Sequence, residues 1–246
     1  MLKNKTAVVT GSNRGIGRAI VKLFAQNGAE VIACARRPDP AFTSFLEGLS
    51  KETGCKLTPV YFDLGDAAQV KEGLKEIGSK CPVIDILVNN AAMIFTAPFS
   101  MTSVEKIKEQ FEVNYFSQVT IMQTLVRKMI PKKEGSVINI SSSAGIEGNA
   151  GRLAYAASKA ALINSTLVLA EELGGFNIRV NAIAPGLTDT EMMTSSTKDD
   201  ALQTTLDRTC LKRVGKPEEI AGAALFLASS LSTFMTGQVL RIDGGM

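Results

Sequence analysis

The feature of this sequence that most constrains its fold is a regular alternation of short apolar runs with longer segments of helical spacing. Seven runs rich in valine, isoleucine and alanine recur at 6–10, 30–34, 57–62, 84–88, 136–140, 178–182 and 238–242. Strands that are apolar throughout and separated by helices form parallel sheets whose two faces are both covered. The sequence therefore predicts an α/β fold, a doubly wound parallel sheet of seven strands with helices on both faces.

Helical patterns fill most of the gaps between these runs. Residues 15–26, 40–53, 66–80, 103–129, 153–174 and 217–229 carry apolar side chains at helical spacing, whereas 187–214 is less regular. Neither a linker nor an internal repeat interrupts the 246 residues, so we expect one domain, 1–246. Ligands of such sheets bind beyond the carboxyl ends of the strands, so a site is expected in the segments that follow strands.

The composition excludes several kinds of protein. The formal net charge of +3 is too small to indicate a nucleic-acid partner. The first 17 residues lack the apolar stretch of a signal peptide, and no segment approaches the roughly 18 apolar residues of a membrane span, so we expect a cytoplasmic protein without a membrane partner. The four cysteines form no CxxC pair and there is no histidine, so we expect no metal site, and a Ser-His-Asp triad is impossible. Acid–base chemistry must use another side chain.

A glycine-rich segment joins the first strand to the first helix. It consists of Gly11, Ser12, Asn13, Arg14, Gly15, Ile16 and Gly17. Glycines let a backbone turn sharply and approach a pyrophosphate, and a helix N-terminus offers free N–H groups to that anion. A tight strand-to-helix turn would explain the glycines equally well, but their place after the first strand of a βαβ series favours nucleotide binding.

The end of the second strand indicates which nucleotide binds. An acidic residue there would accept the ribose 2′-OH of NAD, whereas this strand is followed by Arg36 and Arg37. Arginine suits a 2′-phosphate, and Arg14 is a second candidate ligand for it, so we expect NADP(H). The alternative is that these arginines are solvated surface charges. Asp63, after the third strand, would either accept a hydrogen bond from the adenine amino group or cap the next helix.

A tyrosine and a lysine follow the fifth strand. Tyr155 and Lys159 are four positions apart on a predicted helix and therefore share a face. A free tyrosine has a pKa of about 10, and a neighbouring ammonium group lowers it. Without histidine, this pair is the best available proton donor, although a packed tyrosine beside a surface lysine is the commoner meaning of such a spacing.

From Lys3 to Met246 the chain resembles the short-chain dehydrogenases/reductases, enzymes with a single-domain Rossmann fold. The shared pattern is TGSNRGIG at 10–17, Asn89-Asn90-Ala91, Asn114, a serine, Tyr155-x-x-x-Lys159 and Pro185-Gly186. The resemblance implies that Ser142 polarises a substrate carbonyl and that Tyr155 protonates it. It further implies that Lys159 lowers the tyrosine pKa and holds the nicotinamide ribose, and that Asn114 positions a water in a proton relay. The implied cofactor ligands, besides residues 11–17, Tyr155 and Lys159, are Arg36, Asp63, Leu64, Asn90, Pro185, Gly186, Thr188 and Thr190.

Three further segments are NISSSAGIEGN at 139–149, KRVGKPEE at 212–219 and the C-terminal residues 236–246. In these segments the chain most resembles the family's bacterial reductases of 3-oxoacyl groups bound to acyl carrier protein. An acidic carrier implies a basic patch near the pocket, for which the candidates are Arg127, Lys128, Lys132 and Lys133. A second position where a basic residue is expected holds Phe176, which leaves a free steroid, quinone, keto ester or sugar open as the substrate. A non-catalytic cofactor sensor is the remaining alternative.

Three further expectations follow from the resemblance. The segment 187–214 is expected to bind substrate as a mobile loop. A homotetramer is expected, with apolar helix faces at Phe111, Val113, Phe116 and Val119 and at Leu162, Thr166 and Leu169; these faces would otherwise be intramolecular core. Ala92 stands where the family usually has glycine, and a positive φ there would strain alanine by about 1 kcal/mol.

Overall fold

A single parallel sheet organises the molecule. The computed structural model describes residues 1–197 and 199–246. Within these ranges the strands are β1 Thr6–Thr10, β2 Glu30–Ala35, β3 Leu57–Tyr61, β4 Ile86–Asn89, β5 Gly135–Ile140, β6 Ile178–Pro185 and β7 Val239–Ile242. Their order is β3-β2-β1-β4-β5-β6-β7 and each pairing is parallel. The predicted doubly wound, seven-stranded parallel sheet is confirmed.

Helices connect the strands and cover the sheet. They are α1 Gly15–Gln26, α2 Pro40–Thr53, α3 Ala67–Lys80, α4 Val104–Phe111, α5 Ser117–Met129, α6 Ala144–Glu147, α7 Leu153–Gly174, α8 Glu191–Ser196, α9 Asp199–Arg208 and α10 Pro217–Ala228. The predicted helix 103–129 is divided, because a π-helical turn, Glu112–Phe116, separates α4 from α5. The segment 187–214, expected to be irregular, contains α8 and α9.

Both faces of the sheet are buried, which explains why its strands are apolar throughout. Successive side chains of a strand point to opposite faces. Val9 accordingly packs in one apolar cluster with Phe24 of α1, and Val8 packs in another with Leu125 of α5. Val8 and Val9 are both fully buried, so a polar side chain at either position would lose its hydration.

Successive strands are added to the sheet in one direction from β1 and in the opposite direction from β4, so the strand order reverses between these two neighbours. From β1 the chain proceeds to β2 and β3 on one side, and from β4 to β5, β6 and β7 on the other. The hydroxyl of Thr10, at the end of β1, accepts hydrogen bonds from the N–H groups of Asn90 at 2.9 Å and Ala91 at 3.0 Å. The chain leaving β4 thus crosses the end of β1, at the point where ligands bind in such folds.

Helix α7 has the length and composition of a membrane span. It contains 22 residues, and its most apolar window has a mean hydropathy of 1.3. It also carries the buried Lys159 and packs Leu162 and Leu173 against the sheet. A core helix of a globular protein has the same properties, so this composition does not by itself indicate a membrane segment.

Candidate active site

A cleft of about 2150 Å³ opens at the carboxyl ends of the strands. Most of the predicted site residues line it: Gly11, Asn13, Arg14, Gly15, Ile16, Arg36, Asp63, Leu64, Asn90, Ser142, Tyr155, Lys159, Pro185, Gly186, Thr188 and Thr190. Ser12, Gly17 and Asn114 lie behind the wall of the cleft rather than in it, and Ser12 and Asn114 are fully buried. Residues scattered from 11 to 190 are therefore brought to one place.

The glycine-rich loop leaves room at its surface for an anion. Gly11 and Gly15 have φ angles of +66° and +52°, which other residues rarely adopt. A Cβ atom on Gly17 would lie 2.1 Å from the carbonyl oxygen of Gly11, so the helix closely approaches the strand end. Arg14 precedes α1 and makes no side-chain hydrogen bond to the helix N–H groups. A pyrophosphate fits at this N-terminus, because those N–H groups would bind it.

The side chains of Asn90 and Ser12 hydrogen-bond to main-chain carbonyl groups in and just before the glycine-rich loop. The amide nitrogen of Asn90 donates to the carbonyl oxygens of Thr10 at 2.8 Å and Gly11 at 3.1 Å. The Ser12 hydroxyl donates to the carbonyl of Val9 at 2.7 Å and is buried. These side chains fix the loop's conformation through its main chain, so the serine hydroxyl is committed to the fold.

The arginines predicted to bind a 2′-phosphate are paired with carboxylates. The Nε atom of Arg36 lies 2.6 Å from Asp63, and Arg14 pairs with Glu191 of α8. Asp66, not Asp63, caps α3, because its carboxylate accepts from the N–H groups of the first turn. The capping alternative for Asp63 was therefore wrong. Asp63 instead holds Arg36 in the cleft.

Tyr155 and Lys159 share the inner face of α7, and both are nearly inaccessible to water. Tyr155 is 9% exposed and Lys159 is 1% exposed. The Nζ atom of Lys159 donates to the carbonyl oxygen of Ile140, at the end of β5, at 2.7 Å. Burial lowers the pKa of Lys159 to about 7. Burial also raises the pKa of Tyr155, which a hydrogen bond with Ser142 and the charge of Arg152 counteract.

The three consecutive serines after β5 have different partners. The hydroxyl of Ser141 donates to the carbonyl oxygen of Lys159 at 2.9 Å and is buried. Ser142 is half-buried, accepts from the N–H of Ala144 at 3.2 Å, lines the cleft with Tyr155 and lowers the pKa of that tyrosine. Ser142 is thus the serine beside the tyrosine, which is the arrangement that the family resemblance implies.

Asn114 lies in the π-helical turn, and both atoms of its side-chain amide form hydrogen bonds within the protein. Its oxygen accepts from the N–H of Met93 at 2.8 Å. Its nitrogen donates to the Met93 carbonyl at 2.9 Å and to the Ser158 hydroxyl at 3.1 Å. Any water relay at Asn114 would therefore use its main chain. Ala92, next to Met93, is not among the residues with positive φ, so the strain considered from the sequence does not arise.

Two glutamines that the sequence reasoning missed extend this pattern. The oxygen of Gln110 accepts from the N–H of Phe95 at 3.0 Å, and the nitrogen of Gln118 donates to the carbonyl of Ala91 at 2.6 Å. With Asn114 these residues lie four positions apart along one helix face and bind alternate residues, 91, 93 and 95. Three buried amides at a spacing of four were the available signal. We call Gln110, Asn114 and Gln118 the amide row; it fixes one wall of the cleft.

The segment after β6 leads from the sheet to α8. The Thr188 hydroxyl donates to the carbonyl of Gly186 at 3.2 Å, and Thr190 caps α8 by accepting from the N–H of Met193 at 3.3 Å. The Cγ2 atom of Thr190 lies 3.1 Å from the position of a Cβ atom on Gly15. The predicted role of both threonines, to hold the nicotinamide carboxamide, stays a prediction.

The predicted basic patch lies away from the cleft. None of the lining residues belongs to the set Arg127, Lys128, Lys132 and Lys133. Lys133 precedes β5 and Ser142 follows it, so a six-residue strand, about 20 Å long, separates them. Lys132 is bound to the buried carboxylate of Asp85. The expectation of a basic patch beside the pocket of the same chain is therefore wrong.

The glycine-rich loop lies where the strand order reverses, and Ser142, Tyr155 and Lys159 line the same cleft. This combination defines a dinucleotide-dependent oxidoreductase. A family model described as "Enoyl-(Acyl carrier protein) reductase" matches residues 11–246. The chain belongs to the short-chain dehydrogenase/reductase family, as the sequence predicted.

Individual relatives carry more specific names. The chain is 42% identical over 250 residues to 3-oxoacyl-[acyl-carrier-protein] reductase FabG of Chlamydia muridarum, covering 100% of this chain and 98% of the relative. It is 36% identical to a 3alpha-hydroxysteroid dehydrogenase of Mediterraneibacter gnavus, covering 99% and 97%. Among solved structures, a 3-oxoacyl (acyl-carrier-protein) reductase of Agrobacterium tumefaciens with NADP bound superimposes with a TM-score of 0.91 at 33% identity, covering 100% and 95%.

Proposed function

We propose that this protein reduces a 3-oxoacyl group carried on acyl carrier protein to the 3-hydroxyacyl group, with NADPH, in fatty acid synthesis. The observation that carries the proposal is the Tyr155 hydroxyl, buried beside Ser142 and one helical turn from a buried ammonium. The relatives from Chlamydia muridarum and Agrobacterium tumefaciens bear that activity in their names. The family model's name refers to an enoyl substrate, but these full-length relatives support a carbonyl.

The residues of this chain divide the work of the reduction. The nicotinamide, when bound, supplies the hydride that the carbonyl carbon accepts. Ser142 donates a hydrogen bond to the carbonyl oxygen and stabilises the charge that develops there. Tyr155 transfers its phenolic proton to that oxygen, which yields the alcohol. Lys159, as the ammonium, stabilises the phenolate that remains.

The cleft fits NADPH. The glycine-rich loop and the start of α1 suit its pyrophosphate. Arg36 and Arg14 stand at the end of the cleft where no carboxylate follows β2, and they suit the 2′-phosphate. Asn90, Pro185, Gly186, Thr188 and Thr190 are the proposed ligands of the nicotinamide half.

A comparison of two substrate forms tests the proposal. With NADPH, kcat/KM for acetoacetyl-acyl-carrier protein should exceed that for free ketones of similar size. Absence of any turnover by a protein that still binds NADPH would instead favour a sensor.

A free hydrophobic ketone is the second candidate substrate. Apolar side chains of the cleft support it: Met93, Ile94, Phe95, Met192 and Met193. The relative named as a 3alpha-hydroxysteroid dehydrogenase supports it as well. Faster reduction of a 3-ketosteroid than of acetoacetyl-acyl-carrier protein would favour this candidate.

Domain organisation, localisation and oligomeric state are properties of the whole chain that we also propose. We take it as one cytoplasmic domain, 1–246, whose segment 187–214 binds substrate. A homotetramer is supported by exposed apolar side chains of the π-turn and α7, namely Phe116, Leu167 and Val168. Leu162 and Thr166, considered for this surface from the sequence, are fully buried core residues instead. Light scattering of the wild type and of Val168→Glu would test the assembly.

A further inference from the structure

Arg152 is an arginine of the cleft to which neither the proposed cofactor site nor the proposed proton transfer assigns a ligand. Arg152 is the N-cap residue of α7, three positions before Tyr155, and both line the cleft. Arg152 is half-buried, and its charge acts on the Tyr155 hydroxyl. The guanidinium group therefore lines the same cleft as the phenol that gives up its proton.

The partners of Arg152 are neutral. Its Nη2 atom donates to the hydroxyl of Thr197 at 2.9 Å and to the carbonyl of Ser196 at 3.4 Å. Ser196 is the last residue of α8, and Thr197 follows it. Among the residues whose side chains the structure describes, a set that does not include residues 198 and 199, no carboxylate forms an ion pair with Arg152.

The other arginines of the cleft differ from Arg152 in this respect. Arg14 pairs with Glu191, Arg36 with Asp63, and Arg208 with Glu147 at 3.6 Å. A partly buried guanidinium without a carboxylate is costly unless something else compensates its charge. The planar fork of arginine binds substrate oxygens, carboxylates above all, in charge-assisted hydrogen bonds.

The chemistry of the proposed substrate supplies such an oxygen. In a 3-oxoacyl group the ketone at C3 is followed, two carbons along, by the acyl oxygen at C1. With the ketone oxygen at Ser142 and Tyr155, the acyl oxygen must point to another part of the same cleft. Arg152, just before α7, lines that cleft with Tyr155, and its guanidinium is bound only to neutral groups among the side chains that the structure describes.

We propose that Arg152 is a specificity-determining residue that binds the C1 oxygen of a 3-oxoacyl substrate, exchanging its contacts with Thr197 and Ser196 for that oxygen. The inference rests on the proposed function and names a recognition element of the same site. The oxygen belongs either to a thioester carbonyl or to the carboxylate of a free 3-oxo acid.

The test measures a ratio of specificities. We would determine kcat/KM with NADPH for three probes: the N-acetylcysteamine thioester of acetoacetate, acetoacetate itself, and 2-pentanone, which lacks the C1 oxygen. Arg152→Met should lower the ratio of a C1-oxygen probe to 2-pentanone by about 10- to 100-fold. The larger loss identifies which oxygen, thioester or carboxylate, Arg152 binds. A ratio that stays within twofold of the wild type for both probes overturns the proposal.

Two further variants keep the test decisive. Arg152→Lys retains the charge but not the fork, so it should lower the ratio by less than Arg152→Met does. If Arg152→Met does not fold, an unchanged ratio in Arg152→Lys overturns the proposal. Arg208→Met removes another cleft arginine, and its effect should be equal on all three probes.

The failure of the proposed function would look different. If the wild type does not reduce acetoacetyl-acyl-carrier protein, the carrier-bound function fails. If Arg152→Met still lowers the ratio for acetoacetate in that case, the role of Arg152 stands. If Arg152→Met lowers kcat/KM equally for all probes, Arg152 acts on Tyr155 alone and the proposed recognition is wrong.

Discussion

The ammonium group of Lys159 lies 5.9 Å from the centre of the Tyr155 ring, in a cleft that leaves 1% of the lysine exposed. A buried ammonium is unfavourable in the cofactor-free protein, and its hydrogen bond to Ile140 compensates only part of the lost hydration. The same burial strengthens its interaction with any negative charge on the phenol, because the surroundings are less polar than water. In the cofactor-free protein burial still raises the pKa of Tyr155, so the buried ammonium lowers stability and would act on the tyrosine only once a phenolate charge develops.

Removal of the tyrosine hydroxyl should abolish most of the activity. Tyr155→Phe is expected to lower kcat by about 100- to 10 000-fold, the usual contribution of a positioned general acid. NADPH oxidation with the best substrate measures the loss, and fluorescence titration should show that NADPH still binds. Tyr61→Phe is the matched control, since Tyr61 lies in β3 and outside the lining of the cleft. A Tyr155→Phe enzyme with native kcat would refute the assigned proton donor.

The buried lysine should make stability depend on pH. Its pKa is about 7 in the folded protein and 10.5 in the unfolded chain, so between these values the unfolded chain binds more protons. The free energy of unfolding should therefore rise with pH across that window. Below pH 7 the cost of the buried charge is complete, and Lys159→Met should be the more stable protein by roughly 2–5 kcal/mol.

Urea denaturation of the cofactor-free protein at several pH values between 6 and 10 would measure this difference. It should shrink as the pH rises, because wild-type Lys159 loses its proton. Lys71→Met, at an exposed position of α3, is the control and should show no such trend. A constant difference between Lys159→Met and wild type at all pH values would contradict the prediction.

The strands could be predicted from the sequence because they are buried on both faces, which leaves continuous apolar runs. β4 is an instructive exception, since it begins at Ile86 rather than at the expected residue 84. Ile84 is buried as an apolar residue should be, but the intervening Asp85 binds the N–H of Thr6 through its side chain. A buried carboxylate thus replaces a main-chain bond, which an apolar pattern does not reveal.

Substitutions in the amide row should differ in cost according to the number of hydrogen bonds lost. Asn114→Leu removes three and leaves main-chain groups of Met93 unpaired, so it should destabilise the protein by about 3 kcal/mol or more. Gln118→Leu loses its bond to Ala91 and a long one of 3.5 Å to Val113, but it also removes a buried oxygen that has no partner within the described residues. Its expected cost is about 1–2 kcal/mol. Equal costs by urea denaturation would show that the hydrogen bonds do not set the difference.

Selectivity between the two nicotinamide cofactors should depend on Arg36. Arg36→Met is expected to lower kcat/KM for NADPH by about 10- to 100-fold and to leave the value for NADH nearly unchanged, because only NADPH carries the 2′-phosphate. Arg37→Met is the control, since Arg37 is the exposed neighbour that does not line the cleft. Comparable losses with both cofactors would mean that Arg36 supports the cleft through Asp63 and does not read the phosphate.

The parts of the site that the sequence did not reveal depend on contacts between distant segments. Arg14 and Glu191 are far apart in the chain, and nothing in the glycine-rich motif indicates that its arginine pairs with α8. The spacing of four in the amide row is visible in the sequence, but its partners at 91, 93 and 95 are not, because they belong to the segment after β4. Helical periodicity predicted 103–129 as one helix, because a single π-helical turn changes the spacing of apolar side chains too little to be recognised in the sequence.

The close approach of Gly17 to Gly11 leaves no room for a larger residue at position 17. A methyl group on Gly17 would lie 2.1 Å from the Gly11 carbonyl oxygen and 2.5 Å from the Asn90 amide, so the loop would have to move. Gly17→Ala should therefore weaken NADPH binding at least tenfold by fluorescence titration, through displacement of the loop that suits the pyrophosphate. Gly48→Ala, within α2, adds a methyl group with no atom within 4 Å and should raise stability by about 0.5–1 kcal/mol without changing NADPH affinity. If both variants bind NADPH like the wild type, the close packing of loop and helix is not what shapes the phosphate site.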